Sequence, residues 1–393
     1  MFRHAPIGIP LNEISRNLQR LPKRHIAGYY LHVHRLLSTL IILMTPFFGC
    51  GEPEPASIRL AWSHQEPSRI AEAISGPEDR VLIMLAEQAP TGSGMMVTLD
   101  GNLGDVVEGP FDVPTLTEQA PIFVGANIFA VSKVGKIEKY NLAGQNLSSF
   151  PMLPIGSTGP IGLDGSNSVR LASSVGTLYS FDLETGEQLF QTPVDEAIDS
   201  PIAIASDGTS FVASPLGRLE AIDRSGQKTL SAATGSLASG TTLVGDKIVI
   251  GHSNGVDIFS RDGTQILTHS RASAVLGTLV LPNGNFVAWG QDGVVEVLTT
   301  AGDVVTKFRT RPESELNPPT ISVAPAALDR DYLLVVDDLG EVYLVDVNGN
   351  VVVTYNLETP PRSKSRINRT EKGTLLITTA TNVYGLRVTL PSD

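Results

Sequence analysis

Few residues of this chain have the type and spacing that catalysis needs. Residues 251–255 read Gly-His-Ser-Asn-Gly, which matches the Gly-x-Ser-x-Gly string that presents a nucleophilic serine on a strand-to-helix turn. That mechanism also needs a helix directly after the serine, and acid and histidine partners downstream. Here no helix pattern follows, so we interpret residues 251–255 as a loop that joins two β-strands.

Three further patterns suggest metal or phosphate chemistry but lack essential parts. Residues 346–350, Asp-Val-Asn-Gly-Asn, resemble the start of a calcium loop, but the glycine is misplaced and no ligand stands at the twelfth position, so we predict a hairpin turn. Residues 156–162 are rich in glycine but lack the lysine and the helix of a phosphate loop. Four aspartates are interpreted as ordinary solvated carboxylates: Asp329, Asp331, Asp337 and Asp338.

Histidine and cysteine, the other residues that commonly do chemistry, are scarce. The single cysteine, Cys50, allows neither a disulfide framework nor a thiolate metal cluster. Four of the seven histidines precede Cys50, which leaves His64, His252 and His269, and no pairing with an acid is visible. We therefore expect no catalytic, cofactor-binding or metal-binding residue, no cofactor and no enzyme activity.

A repeated phrase defines the elements that must hold these residues. Each copy has a glycine, an alternating apolar run and a turn that ends in glycine. The copies are led by Gly94, Gly135, Gly176, Gly217, Gly255, Gly293 and Gly340, and a last copy begins at Asn382. A period of about 40 residues with strand-type alternation predicts a β-propeller with one four-stranded antiparallel blade per copy. We predict an all-β fold of eight blades, with seven as the alternative if the poor first copy at Gly94 is misread.

The two ends of the repeat region complement each other. The last copy stops after its third strand, and residues 57–62 form a strand with no earlier partner. Pairing the two ends in one blade would close the ring and leave neither edge exposed. We predict a single propeller domain over residues 57–390, with one insertion at residues 312–331.

The front of the chain has the composition of an address segment. Residues 1–49 contain six Lys or Arg and one acid, and residues 36–48 form an apolar run too short to span a bilayer comfortably. The run ends in Phe47-Phe48-Gly49-Cys50, which resembles a bacterial lipoprotein signal, although Phe47 departs from the usual Leu, Val or Ile. We predict a signal peptide over 1–49, lipid attachment at Cys50 and a tether over 50–56. The alternatives are an ordinary cleaved secretory peptide and a permanent membrane anchor.

Net charge narrows the choice of partners. The chain carries −12 and residues 1–49 carry +5, so the remainder carries −17. Phosphate backbones and anionic lipid headgroups repel so acidic a body, which argues against nucleic-acid binding.

The repeat consensus resembles a known family. Residues 176–190, which run from Gly-Thr-Leu-Tyr-Ser-Phe-Asp through Thr-Gly-Glu, are similar to the PQQ-type propeller repeat. That repeat usually ends its fourth strand in tryptophan, a position held here by Phe190 and, in the closing strand, by Trp62. Eight such blades behind a lipoprotein signal resemble the propeller lipoproteins of the bacterial outer-membrane β-barrel assembly machine.

The resemblance implies a function that the residues alone do not specify. It implies a lipid-anchored protein of the cell envelope, at the outer membrane as Gly51 also favours, that binds other envelope proteins through its loops without catalysis. The alternative is an extracytoplasmic PQQ-type enzyme or ligand sensor with a site in the central channel. A third hypothesis is a surface-displayed adhesion or uptake module.

Overall fold

The computed structural model describes residues 55–391 apart from 87–93, 114–120, 132–135, 152, 154–160, 166, 174, 199, 237–238, 311–319, 322, 330 and 363–364. Cys50, the predicted signal peptide, most of the predicted tether and most of the glycine-rich residues 156–162 lie outside the described residues. Ala56–Leu390 form one compact unit. Within the described ranges, no helix has the length and apolar character needed to cross a membrane.

Eight sheets of four antiparallel strands form a ring, which confirms the predicted eight-bladed propeller. Strands are numbered along the chain, and a 3₁₀ turn at Pro77–Asp79 separates the first two strands of blade 1. Blades 1 to 4 consist of β2 (Arg69–Ser75), β3 (Arg80–Ala86), β4 (Gly94–Asp100) and β5 (Val106–Val113); β6 (Ile122–Val124), β7 (Asn127–Val131), β8 (Ile137–Asn141) and β9 (Asn146–Ser149); β10 (Gly162–Asp164), β11 (Ser168–Ala172), β12 (Thr177–Asp182) and β13 (Gln188–Pro193); and β14 (Ala203–Ile204), β15 (Ser210–Ala213), β16 (Arg218–Ile222) and β17 (Lys228–Ala233).

Blades 5 to 8 have the same order. They consist of β18 (Thr241–Val244), β19 (Lys247–His252), β20 (Gly255–Ser260) and β21 (Gln265–Ser270); β22 (Val275–Val280), β23 (Phe286–Gly290), β24 (Val294–Leu298) and β25 (Val304–Arg309); β26 (Ala326–Ala327), β27 (Tyr332–Val336), β28 (Glu341–Asp346) and β29 (Val351–Asn356); and β30 (Asn368–Arg369), β31 (Leu375–Thr378), β32 (Asn382–Thr389) and β1 (Ser57–Gln65). The four strands of a blade are called A to D from first to last in these sequences.

The ring closes as predicted, because the first strand of the chain completes the last blade. Strand β1 pairs antiparallel with β32, from Ser57 opposite Thr389 to Gln65 opposite Asn382. Side chains of blade 8 then hold blade 1: Arg362 donates to the Ile70 carbonyl at 2.7 Å and Asn368 donates to the Ala73 carbonyl at 2.9 Å. The two ends therefore share one sheet.

Apolar side chains are buried mainly between neighbouring blades. In one cluster, Phe129 and Ile137 of blade 2 pack with Leu171 and Phe181 of blade 3, all of them at most 2% exposed. Each blade alternates inward-facing apolar residues along strands B and C, so both faces of the sheet are covered by the next blade. This burial makes the ring rigid, with connections left at its two edges.

Strand D of one blade also packs on a turn glycine of the next. A Cβ added to Gly104 would lie 2.6 Å from the Trp62 ring, and one added to Gly144 would lie 2.2 Å from the Phe111 ring. Both glycines have positive φ, +76° and +71°, so the turn needs glycine for conformation and for space. Phe150 and Phe190 occupy the same place above Gly186 and Gly226. The sequence had identified only Phe190 and Trp62 at this position.

One predicted boundary was too simple. Residues 312–331 were predicted as an insertion, but the structure places strand A of blade 7, Ala326–Ala327, inside that range. A two-residue strand carries no alternation that a sequence pattern could detect. The part before residue 320 lies outside the described residues.

Candidate interaction surface

The turns from strand B to strand C and the connections from strand D to the next blade lie at the same edge of the ring. A recurring hydrogen bond joins them: the residue after strand D donates its N–H to the carbonyl of the glycine that precedes or opens strand C. It joins Val194 to Gly176 at 2.9 Å, Thr234 to Gly217 at 2.9 Å, Thr310 to Gly293 at 3.1 Å, and Leu357 to Gly340 at 2.8 Å. This edge, called the B–C face, is therefore built of braced backbone.

Apolar side chains project from the tips of the braced turns. Leu216 of blade 4 is 78% exposed, Val175 of blade 3 is 56% exposed, and Leu339 of blade 7 is 53% exposed. Glu196 braces the first of these turns by accepting the Leu216 N–H at 3.2 Å, and its backbone lies against Gly176 in the neighbouring turn. Exposed apolar groups on a rigid frame suit protein binding, since little conformational entropy is lost when they are covered.

Below this face, buried carboxylates recur at one position of strand C. Glu138, Glu220, Asp257 and Glu296 have side chains that are 4–6% exposed. Each stands opposite an equivalent residue of strand D, which is Ser149, Ser231, Thr268 and Lys307 respectively. Blades 2, 4, 5 and 6 therefore carry an acid at the same structural position.

Three of these acids have a lysine or arginine partner. Lys136 donates to Glu138 at 2.5 Å, and Lys228 of strand D donates to Glu220 at 2.5 Å. Glu296 lies 3.2 Å from the Lys307 ammonium. Its guanidinium partner is Arg271, at 3.5 Å. Burial would raise the pKa of Glu296, but Arg271, with the contacts of His269 and Lys307, outweighs it and holds the pKa below its usual value.

The fourth acid, Asp257, is held by neutral donors. It accepts from the Thr268 hydroxyl at 2.6 Å, the Thr234 hydroxyl at 2.8 Å, the Gly235 N–H at 2.9 Å and the Gln265 amide at 3.0 Å. Burial would raise the pKa of Asp257, but the approach of the His252 ring, followed by these hydrogen bonds, outweighs it and lowers the pKa. Asp257 is therefore a buried carboxylate that stays ionised.

A pocket of about 380 Å³ opens beside this carboxylate between blades 4 and 5. Its lining is almost entirely polar: Thr234, His252, Asn254, Asp257, Gln265 and Ser270 are among its residues. The His252 ring stacks on Gly235, where a Cβ would lie 2.2 Å from the ring. Within the described part of the chain, no group of three or more His, Cys, Asp or Glu residues could hold a metal ion.

The structure assigns each sequence pattern a place. Residues 251–255 join β19 to β20, which confirms the predicted loop, and 346–350 form the turn from β28 to β29, which confirms the predicted hairpin. The interpretation of Asp337 as solvated is wrong. It is fully buried, and it accepts from the Tyr343 hydroxyl at 3.1 Å and the Glu341 N–H at 2.9 Å.

Comparison with known proteins identifies the family. A family model described as outer membrane protein assembly factor BamB matches residues 133–353, which include the second to seventh blades. The chain belongs to this family. The BamB-family match covers all four buried carboxylates and the three exposed turns.

Other comparisons establish the fold alone. The crystal structure of the computationally designed Ika8 protein is similar with a TM-score of 0.66 and 15% sequence identity, over 82% of this chain and 98% of that one. No curated protein matches the chain. The details of the B–C face therefore come from this structure.

Sequence reasoning missed the carboxylate series, although a signal for it was present. Glu138, Glu220 and Glu296 each stand three residues after the leading glycine of their copy, and Asp257 stands two residues after its own. Aligning the copies on the glycines would have found three of the four. Their partners could not be found in this way, because those come from strand D and from the connection out of the preceding blade.

Proposed function

We propose that this protein is a lipid-anchored, non-catalytic interaction scaffold of the bacterial cell envelope that assists outer-membrane protein assembly. The observation that carries this proposal is the family match over residues 133–353, whose description names such an assembly factor. In this proposal, lipid attached at Cys50 holds the propeller at the outer membrane, and its loops bind other envelope proteins.

The geometry of the B–C face supports a role in binding. Leu216 and Val175 are exposed, and both lie in turns whose backbone is braced by the connection from blade 3 to blade 4. Covering a side chain such as Leu216 would contribute roughly 2 kcal/mol to a complex. A few such anchors on a preorganised surface carry most of the energy of an interface.

Site-specific photocrosslinking in the native host tests the proposal. A photoreactive amino acid replaces Leu216, and in a matched control it replaces Leu103, which is 60% exposed in a turn between strands C and D at the other edge of the ring. We expect position 216 to capture a subunit of the β-barrel assembly machine and position 103 to capture much less. Equal capture at both positions, or capture only of unrelated proteins, would contradict the proposal.

A further inference from the structure

The Asp257 pocket differs from its equivalents in other blades by one missing charge. Glu138, Glu220 and Glu296 each have a lysine or arginine within 4 Å. Among the described residues, no lysine or arginine forms an ion pair with Asp257, and its one titratable neighbour is His252, with Nε2 at 3.5 Å. A buried, ionised carboxylate without a nearby cation is uncommon in proteins.

Neighbouring blades show where the cation would stand. Lys228 and Gln265 occupy the same place on strand D, since each pairs with the second-last or last residue of its strand C, Lys228 with Ile222 and Gln265 with Phe259. Lys228 reaches Glu220 from there at 2.5 Å, and Gln265 reaches Asp257 at 3.0 Å. In blade 5 a neutral, exposed amide therefore takes the place of an ammonium group, and the pocket opens beside it.

His252 does not supply the charge in this arrangement. Its Nδ1 accepts the Asn254 N–H at 3.2 Å, so the ring proton belongs on Nε2 and the ring is neutral. The side chain is 6% exposed, and Nε2 has no hydrogen-bond partner of its own. Two polar groups of the pocket, an ionised oxygen and a ring nitrogen, are thus left for a ligand to satisfy.

We propose that the pocket beside Asp257 binds the ammonium or guanidinium group of a lysine or arginine side chain from a protein partner. The incoming cation replaces the Gln265 amide at Asp257, and Asn254 and Ser270 at the rim lie where they can bind the rest of the side chain. The charge of −17 outside residues 1–49 favours the approach of a basic segment. This inference rests on the proposed function only in taking the ligand to be part of a protein.

Binding of small probes to the full chain in detergent micelles tests the pocket without any partner. The probes are Nα-acetyl-arginine amide and Nα-acetyl-lysine amide, and the neutral control is Nα-acetyl-citrulline amide. We expect the cationic probes to shift the NMR signals of the His252 ring in a saturable manner and the citrulline probe to leave them unchanged. Equal shifts from all three probes, or no shift from the cationic ones, would overturn the proposal.

Two substitutions at Gln265 give opposite predictions. Gln265→Lys supplies the missing cation from within the blade, so it is expected to weaken probe binding about tenfold or more. Gln265→Glu adds a second negative charge and is expected to strengthen binding about threefold. Both substitutions change an exposed side chain, so the fold is retained. Binding that ignores the charge at position 265 would refute the assignment, as would spermidine binding more tightly than the arginine probe, since the ligand would then be a free polyamine.

The outcomes separate this inference from the proposed function. If position 216 captures an assembly subunit but the cationic probes do not bind, the pocket assignment fails and the scaffold role stands. If the probes bind as expected but no assembly subunit is captured, the pocket stands and the scaffold role fails.

Discussion

Gln265 donates its side-chain amide to Asp257 at 3.0 Å, from the place where Lys228 donates an ammonium to Glu220 in the preceding blade. The two blades thus offer a natural comparison between a neutral and a charged partner for a buried acid. Hydrogen bonds from charged donors are about twice as strong as those from neutral donors. The difference at this one position therefore bears on stability as well as on binding.

Exchanging these two partners should move stability in opposite directions. Gln265→Lys should raise the free energy of unfolding by about 1 kcal/mol, because it pairs a buried carboxylate with a cation. Lys228→Gln should lower it by a similar amount, since Glu220 loses its ammonium partner. Urea denaturation of both variants measures the two changes. A stabilised Lys228→Gln variant would contradict this view of the carboxylate series.

Glu72 of strand A in blade 1 should make stability depend on pH. Burial raises the pKa of Glu72 to about 7, and the charge of Arg362 only partly opposes this. Because the folded-state pKa exceeds the unfolded value, this group contributes stability below the unfolded pKa, and that contribution is lost as the pH rises towards 7.

The variant Glu72→Gln cannot ionise and should lack this loss. Relative to the variant, the wild type should lose roughly 3 kcal/mol of unfolding free energy between about pH 4 and pH 8. Thermal unfolding across that range measures it. Glu187→Gln, which changes an exposed glutamate in a turn, is the control and should run parallel to the wild type. Parallel curves for Glu72→Gln as well would show that Glu72 titrates normally.

The closing strand should be sensitive at Trp62. Its ring is 7% exposed, its Nε1 donates to the Gly101 carbonyl at 3.0 Å, and it lies over Gly104 and Gly385. Trp62→Ala should cost about 3–5 kcal/mol of unfolding free energy, because it leaves a cavity where the ring closes. Leu60→Ala, in the same strand at a side chain 44% exposed, should cost less than about 0.5 kcal/mol. Similar losses in both variants would argue against this role for Trp62.

Membrane attachment should depend on the single cysteine. Cys50→Ser removes the sulfur that the lipid would modify, so the protein should move from the membrane fraction to the soluble envelope fraction. Labelling cells with a clickable fatty acid measures the modification itself, and the wild type should be labelled while the variant is not. A Cys50→Ser protein that stays in the membrane fraction would favour a retained apolar anchor over residues 36–48.

Sequence patterns predicted the ring well because the repeat depends on local chemistry. At Gly217, for example, φ is +93° and an added Cβ would lie 2.6 Å from the Thr234 carbonyl oxygen, so glycine recurs wherever this turn recurs. The closure was predictable because each end lacked the strand that the other supplied. These features need only one copy of the repeat to be interpreted.

The candidate site was less predictable because it is assembled from several copies. The donors to Asp257 come from the end of strand D in blade 4 and from strand D in blade 5, which are up to 34 residues apart in sequence, from Thr234 to Thr268. Whether an acid finds a lysine, an arginine or an amide depends on side chains that reach across this gap. The same holds for Asp337, whose buried partner Tyr343 lies in the next strand.

The role in outer-membrane protein assembly can be measured in a strain that lacks this chain. The measurement is the amount of heat-modifiable β-barrel protein in the outer membrane, with complementation by the wild type, Leu216→Asp or Leu103→Asp. We predict that the deletion lowers this amount, and that the wild type and Leu103→Asp restore it while Leu216→Asp does not. Unchanged β-barrel levels in the deletion strain, with the chain confirmed as absent, would contradict the proposed role.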